Sequence, residues 1–296
     1  VARWRDELAA LVVTEVAQVV SVSGECRVVV MSNEAMVGTG APDYELPYRP
    51  KVEAALTDII EALQPESTTI RMYVRRQDRL LESQYIQQLH DGLVMTFEEF
   101  TDRAAKMPLI QFGDLARRVG VLPTVDELIV RPFEIIRSGS LAFIRDFFTS
   151  LGLRDAHIPA IANIGQRNAS YTEPAMKAAI AINGLLETEE QKRRTRKFLG
   201  ALFPKGRYPK PRLFDKEART SVLDMYREHN EAFFEEFLPQ FPRDAYSTPE
   251  PCREIESYLA NLAHLPPMEE APELLQLRKD AEILKRLLQY GTGASR

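Results

Sequence analysis

Thr68-Thr69-Ile70-Arg71-Met72-Tyr73-Val74-Arg75-Arg76-Gln77-Asp78-Arg79-Leu80-Leu81-Glu82-Ser83-Gln84-Tyr85 changes period in its middle. Up to Val74 the side chains alternate as in a strand, and after Asp78 the apolar positions fall three and four apart as in a helix. That helix runs to His90, where Asp91-Gly92 stops it. The junction therefore sets Arg75, Arg76, Gln77 and Asp78 between the end of a strand and the start of a helix.

Working outward, the same alternation of elements repeats. Residues 3 to 20 read as an amphipathic helix, and the β-branched run Cys26 to Met31 reads as a strand buried on both faces. A Pro- and Gly-bearing loop from Gly38 to Pro50 leads to a helix over Lys51 to Leu63. Downstream come helices at Thr96 to Ala105 and Gln111 to Val119, a short strand Glu127 to Arg131 ended by Pro132, and a helix Ser140 to Leu151 stopped by Gly152. Helix and strand in alternation predict an α/β fold, a parallel sheet flanked by helices. From Glu173 onward only helices are expected: Pro174 to Leu186, Thr188 to Leu202, Lys216 to Phe237, Cys252 to Leu262 and Pro272 to Tyr290. The division expected is an α/β domain over 1–247, helical from about 173, and a helical extension over 248–296, with linkers at Pro249 to Pro251 and Pro266 to Pro272.

The chain has 296 residues, 45% hydrophobic and 27% charged, enough apolar content for one sizeable core. A net charge of −5 gives no overall basic field, so neither a nucleic-acid partner nor an anionic membrane surface is indicated, and any anion site must be local. Two cysteines, Cys26 and Cys252, exclude a disulfide scaffold, and no apolar run is long enough to span a bilayer. A cytoplasmic location is expected. His90, His157, His229 and His264 have no metal-ligand spacing, so no metal is assigned. Leu274, Leu277, Ala281, Leu284 and Leu288 form a narrow apolar seam that packs on the domain or pairs two copies into a homo-oligomer.

In an open parallel sheet the ligand crevice lies beyond the carboxyl ends of the strands. Three clusters fall there: Ser32-Asn33-Glu34, Arg75-Arg76-Gln77-Asp78, and Arg131. Tyr73 to Tyr85 resembles the 3′-phosphate-binding segment of the sulfotransferases, which use 3′-phosphoadenosine 5′-phosphosulfate (PAPS). There an Arg at a strand's end and a Ser eight residues on grip the 3′-phosphate, and the matching positions are Arg75 and Ser83. An Arg fork suits phosphate oxygens, and a strand-to-helix turn can place it near helix-terminal amides and a hydroxyl. An ordinary basic turn with an exposed helix serine is the alternative for the same residues.

The order of further segments also resembles bacterial and carbohydrate-modifying sulfotransferases, from about Val28 to Phe237. Arg131-Pro132-Phe133-Glu134, Arg167-Asn168-Ala169-Ser170 and Lys205-Gly206-Arg207-Tyr208-Pro209 carry that likeness. The resemblance implies the P-loop-NTPase-like sulfotransferase fold, Glu34 as the base that activates the acceptor, and a nucleotide site to which Arg167, Ser170, Lys205 and Arg207 add. The implied reaction moves the sulfuryl group of PAPS to a hydroxyl or amine of a carbohydrate or small metabolite. Glu34 also reads as a rim carboxylate paired with Arg75 or Arg76.

The family's amino-terminal strand and its Lys-bearing phosphosulfate loop are not found; Gly38-Thr39-Gly40-Ala41-Pro42 has no Lys. A chain that begins partway into a longer protein is the expectation. The second reading is a catalytically inactive binding or assembly protein that keeps the fold. A P-loop kinase relative ranks third, for want of a Gly-Lys-Ser/Thr loop.

Overall fold

The computed structural model describes residues 49–104, 110–138 and 170–263, with positions 30, 143 and 146–148. The expected strand at Cys26 to Met31, Glu34, Arg167, most of Ser140 to Leu151 and the Leu274 to Leu288 seam lie outside the described residues.

The chain runs α1 (Arg49–Leu63), β1 (Thr69–Val74), α2 (Gln77–His90), α3 (Phe97–Ala104), α4 (Phe112–Gly120) and β2 (Glu127–Pro132). A 3-10 helix, Phe133–Ser138, follows β2 directly. Then come α5 (Glu173–Asn183), α6 (Glu189–Leu202), α7 (Lys216–Met225), α8 (Arg227–Phe237) and α9 (Arg253–Ala263). The described architecture is thus mixed α/β, mostly helical, around a two-stranded parallel sheet.

The strands pair in register from Thr69 opposite Glu127 to Val74 opposite Pro132. A parallel pair needs a long crossover, and residues 75–126 supply it through α2, α3 and α4. Alternation fixes the two faces of the sheet. Ile70, Met72 and Leu128 lie on one face, against Val52 and Leu56 of α1 and Leu115 and Val119 of α4, while Val130 on the same face packs with Phe112 and Ala116 of α4. The opposite face carries Arg71, Tyr73 and Arg131. There Asp146, which is 3% exposed, accepts hydrogen bonds from the hydroxyls of Tyr73 (2.9 Å) and Tyr258 (3.4 Å), and Arg131 Nε lies 3.6 Å from it. Arg131, expected just past its strand, is in fact within it, because β2 continues through Pro132.

Two larger apolar cores lie beside that cluster. One joins the ends of the strands to Phe233, Phe234, Leu238, Phe241, Tyr246 and Ile255. The other surrounds α2, where Leu81, Tyr85, Ile86 and Leu89 meet α3, α5, Leu199 of α6 and Tyr226. The single helix expected over Lys216 to Phe237 is two, because Tyr226 leaves helical geometry (φ −107°, ψ 7°). The break lets α7 pack on α2 and α8 pack on α4, so consecutive segments serve different cores. Ile255 of α9 belongs to the first core, so the chain on either side of position 248 contributes to the same packing unit.

The end of α2 shows how local chemistry sets an element's length. Gly92 takes φ +100°, a left-handed conformation that costs a glycine little. Asn183 of α5 donates both amide hydrogens to the carbonyls of Leu89 and Leu93, each at 2.9 Å, satisfying backbone groups that the helix leaves open.

Candidate functional site at the end of β1

β1 ends at Val74, Arg75 and Arg76 form the turn, and α2 begins at Gln77. The two arginines differ sharply in role. Arg76 is 5% exposed, and its fork is used inside the protein. Its Nε and Nη2 donate to the Asp78 carboxylate at 2.7 and 3.0 Å, and Nη1 donates to the carbonyls of Thr248 (2.8 Å) and Glu250 (3.0 Å). The stretch expected as a linker, Pro249 to Pro251, is thereby tied to the strand-to-helix turn.

Asp78 is fully buried and is shared. Arg219 of α7 donates to its Oδ2 and, at 2.6 Å, to Glu82 Oε1, while Arg79 reaches Glu82 at 3.1 Å. Burial raises the Asp78 carboxyl, but the hydrogen bonds and charges of Arg76 and Arg219 outweigh it and hold the group below the usual carboxylate range. Burial likewise lowers Arg219, and Glu82 and Asp78 outweigh that loss. Asp78 sits in the first turn of α2, where a negative charge suits the helix dipole. The anion at this helix end is therefore the protein's own. A ligand phosphate here depends on side chains more than on helix-terminal amides.

Gln77 and Asn230, both fully buried, exchange amide hydrogen bonds of 2.5 and 3.0 Å and fasten α2 to α8. Glu134 accepts from the Arg76 backbone N–H at 3.4 Å and from the Tyr246 hydroxyl, which also lies 3.1 Å from the Val74 carbonyl. The rim beyond the strands is thus a rigid polar frame.

Arg75 is half-buried, with its guanidinium 5.4 Å above the Phe133 ring. That cation–π contact fixes the position of the guanidinium beside the 3-10 helix that follows β2. Ser83 is exposed on α2, two turns beyond the junction. At ~1.5 Å per residue Ser83 lies about 10 Å along the axis from either end of α2.

The Lys205 loop lies toward the His90 end. Lys205 and Tyr208 form a β-bridge, Gly206 turns at φ +85°, and Arg207 lies 5.9 Å above the Tyr208 ring. The loop docks on the start of α5, because the Thr172 hydroxyl donates to the Phe203 carbonyl (3.1 Å) and the Glu173 N–H to the Pro209 carbonyl (2.9 Å). Exposed Ser170 belongs to that neighbourhood. His90 is 7% exposed, its ring 4.1 Å from that of Tyr171. Neither ring nitrogen has a hydrogen-bond partner among the described residues. Burial first, then the charges of Arg196 and Lys205, push its pKa down to about 4. His229 accepts from the Gly113 N–H at 3.4 Å.

The structure therefore gathers Ser170, Lys205 and Arg207 at one end of α2 and Arg75 at the other, with Ser83 between. Sequence reading missed Asp78, Arg219, Glu134 and Tyr246 as the frame that holds Arg76 and the strand-to-helix turn. The Arg219–Asp78 and Tyr246–Glu134 pairs join residues more than 100 positions apart, and only the acidic residue at the start of α2 left a local signal. Among the described residues, no group of His, Cys, Asp and Glu could hold a metal ion, and no helix is long and apolar enough to cross a membrane.

No match is found among protein-family models, curated proteins or solved structures.

Proposed function

We propose that this chain is a PAPS-dependent sulfotransferase acting on a hydroxyl or amine of a carbohydrate or small metabolite. The observation that carries the reading is the strand-to-helix junction: Arg75 stands directly after β1 and Ser83 is presented on the exposed side of α2, held by a buried ion network that fixes the turn. Arg75 and Ser83 grip the 3′-phosphate in this reading. Lys205 and Arg207 approach from the other end of α2, where Ser170 also lies, and Arg167 adds a further cation in the same reading. The acceptor oxygen or nitrogen attacks the sulfur, the bond from sulfur to the bridging phosphate oxygen breaks, and 3′-phosphoadenosine 5′-phosphate departs. Glu34 takes the acceptor's proton. The P-loop-NTPase-like form of the fold belongs to the same proposal.

The test is release of 3′-phosphoadenosine 5′-phosphate from PAPS in the presence of a panel of sugars and amines. Acceptor-dependent release that falls at least 100-fold in Glu34→Gln supports the reading. Tight nucleotide binding with no release for any acceptor assigns the chain instead to a binding or assembly role.

A further inference from the structure

We propose that the outer face of α6 is a docking surface for an anionic phospholipid membrane. Nine Lys and Arg side chains and no carboxylate lie between Gln191 and Phe214, in a chain whose net charge is −5. α6 begins on a capping box, in which Thr188 and Gln191 satisfy each other's backbone N–H groups, so the helix is anchored at its start. It buries Leu199 in the α2 core and turns positions 193, 194, 197, 198, 201 and 202 outward, all of them exposed.

That outward face is not simply a solvated basic stripe. Phe198 is 62% and Leu202 50% exposed, one turn apart, and a Cβ added at Gly200 would meet nothing within 4 Å. Exposed cations precede the apolar pair on the same helix: Arg193, Arg194 and Lys197. Arg193 and Arg194 bond to Glu190 on their own helix, an exposed pairing that a denser anionic surface outcompetes. A basic helix face with Phe and Leu at its centre suits the boundary between headgroups and acyl chains, where the rings and methyls insert and the cations meet lipid phosphates. A soluble polyanion such as a nucleic acid or an acidic polysaccharide would use the same charges but would leave Phe198 and Leu202 in water. The two apolar residues therefore favour the membrane.

The test is co-sedimentation of the full chain with vesicles of phosphatidylcholine alone and of phosphatidylcholine with 30% phosphatidylglycerol, with heparin as competitor. The proposal expects binding to the anionic vesicles only, about tenfold or more weaker in Phe198→Ser/Leu202→Ser and about fivefold weaker in Lys197→Gln. All substituted positions are exposed, and an unchanged melting temperature confirms that the variants fold. No binding to anionic vesicles overturns the proposal. So does binding that the Phe198/Leu202 variant retains in full while heparin removes it, which would mark a site for a soluble polyanion.

Discussion

Replacing Asp78 with Asn removes one negative charge and almost no volume, so its effect isolates the charge. Asp78 is fully buried and receives two hydrogen bonds from Arg76 and one from Arg219, whose side chains are 6% and 13% exposed. In the variant those guanidiniums face each other across an amide that can accept on one atom only. Breaking a buried ion pair in this way costs about 3 to 5 kcal/mol, because a buried charge loses its partner. Against a total stability of roughly 5 to 15 kcal/mol that is a severe loss. With an m-value near 2 to 3 kcal/mol/M, the urea midpoint at pH 7 should fall by about 1 to 2 M. Arg219→Met on its own should also destabilise, and the double variant should lose clearly less than the sum of the two, since the second change removes the charge that the first left unpaired. Midpoint shifts of a few tenths of 1 M, or strict additivity, would refute the view that Asp78 organises the turn. Asp78 also predicts an acid limit. Its folded pKa is lowered, so its contribution is present above the unfolded value of about 3.9 and is lost as pH falls through the folded one.

Two further outcomes follow from the other end of α2. His90 is held neutral, its pKa at about 4 against about 6.5 unfolded, so stability should fall as pH drops from about 6.5 to about 4, by about 3 kcal/mol in all. Urea titrations at pH 7.5 and 5.0 should show that slope in the wild type and lose it in His90→Phe; an unchanged slope would mean that His90 is not the titrating group. Asn183→Ala should cost about 1 to 3 kcal/mol, because the carbonyls of Leu89 and Leu93 each lose the Asn183 amide, Leu89 keeping the longer bond from the Gly92 N–H (3.3 Å), and amide exchange should quicken around Gly92 if those bonds close the helix.

The strand and helix periods were legible in the sequence wherever one face of an element is buried. β1, β2 and seven of the nine described helices each fall within a few residues of an expected element, and α7 and α8 divide one expected helix, since alternation and three-four spacing record which side chains must leave water. The break at Tyr226 was not legible, because apolar spacing continues through it and only the presence of two cores makes the bend favourable. Nor was the division of labour between Arg75 and Arg76. Neighbouring arginines look alike in sequence, and what separates them is Asp78 together with the carbonyls of Thr248 and Glu250, brought in from the far end of the chain. Buried polar networks are set by tertiary pairing, which leaves no local period to read.

Recognition of a 3′-phosphate by Arg75 and Ser83 underlies the proposed function. The direct measurement is calorimetric binding of 3′-phosphoadenosine 5′-phosphate and of adenosine 5′-phosphate, which lacks that group, to the wild type, Arg75→Ala and Ser83→Ala. The account predicts that the wild type prefers the first ligand by about 100-fold, that Arg75→Ala abolishes most of the preference, and that Ser83→Ala reduces it by about fivefold to tenfold. Equal affinity of the wild type for the two ligands, or a preference that Arg75→Ala leaves intact, would contradict it.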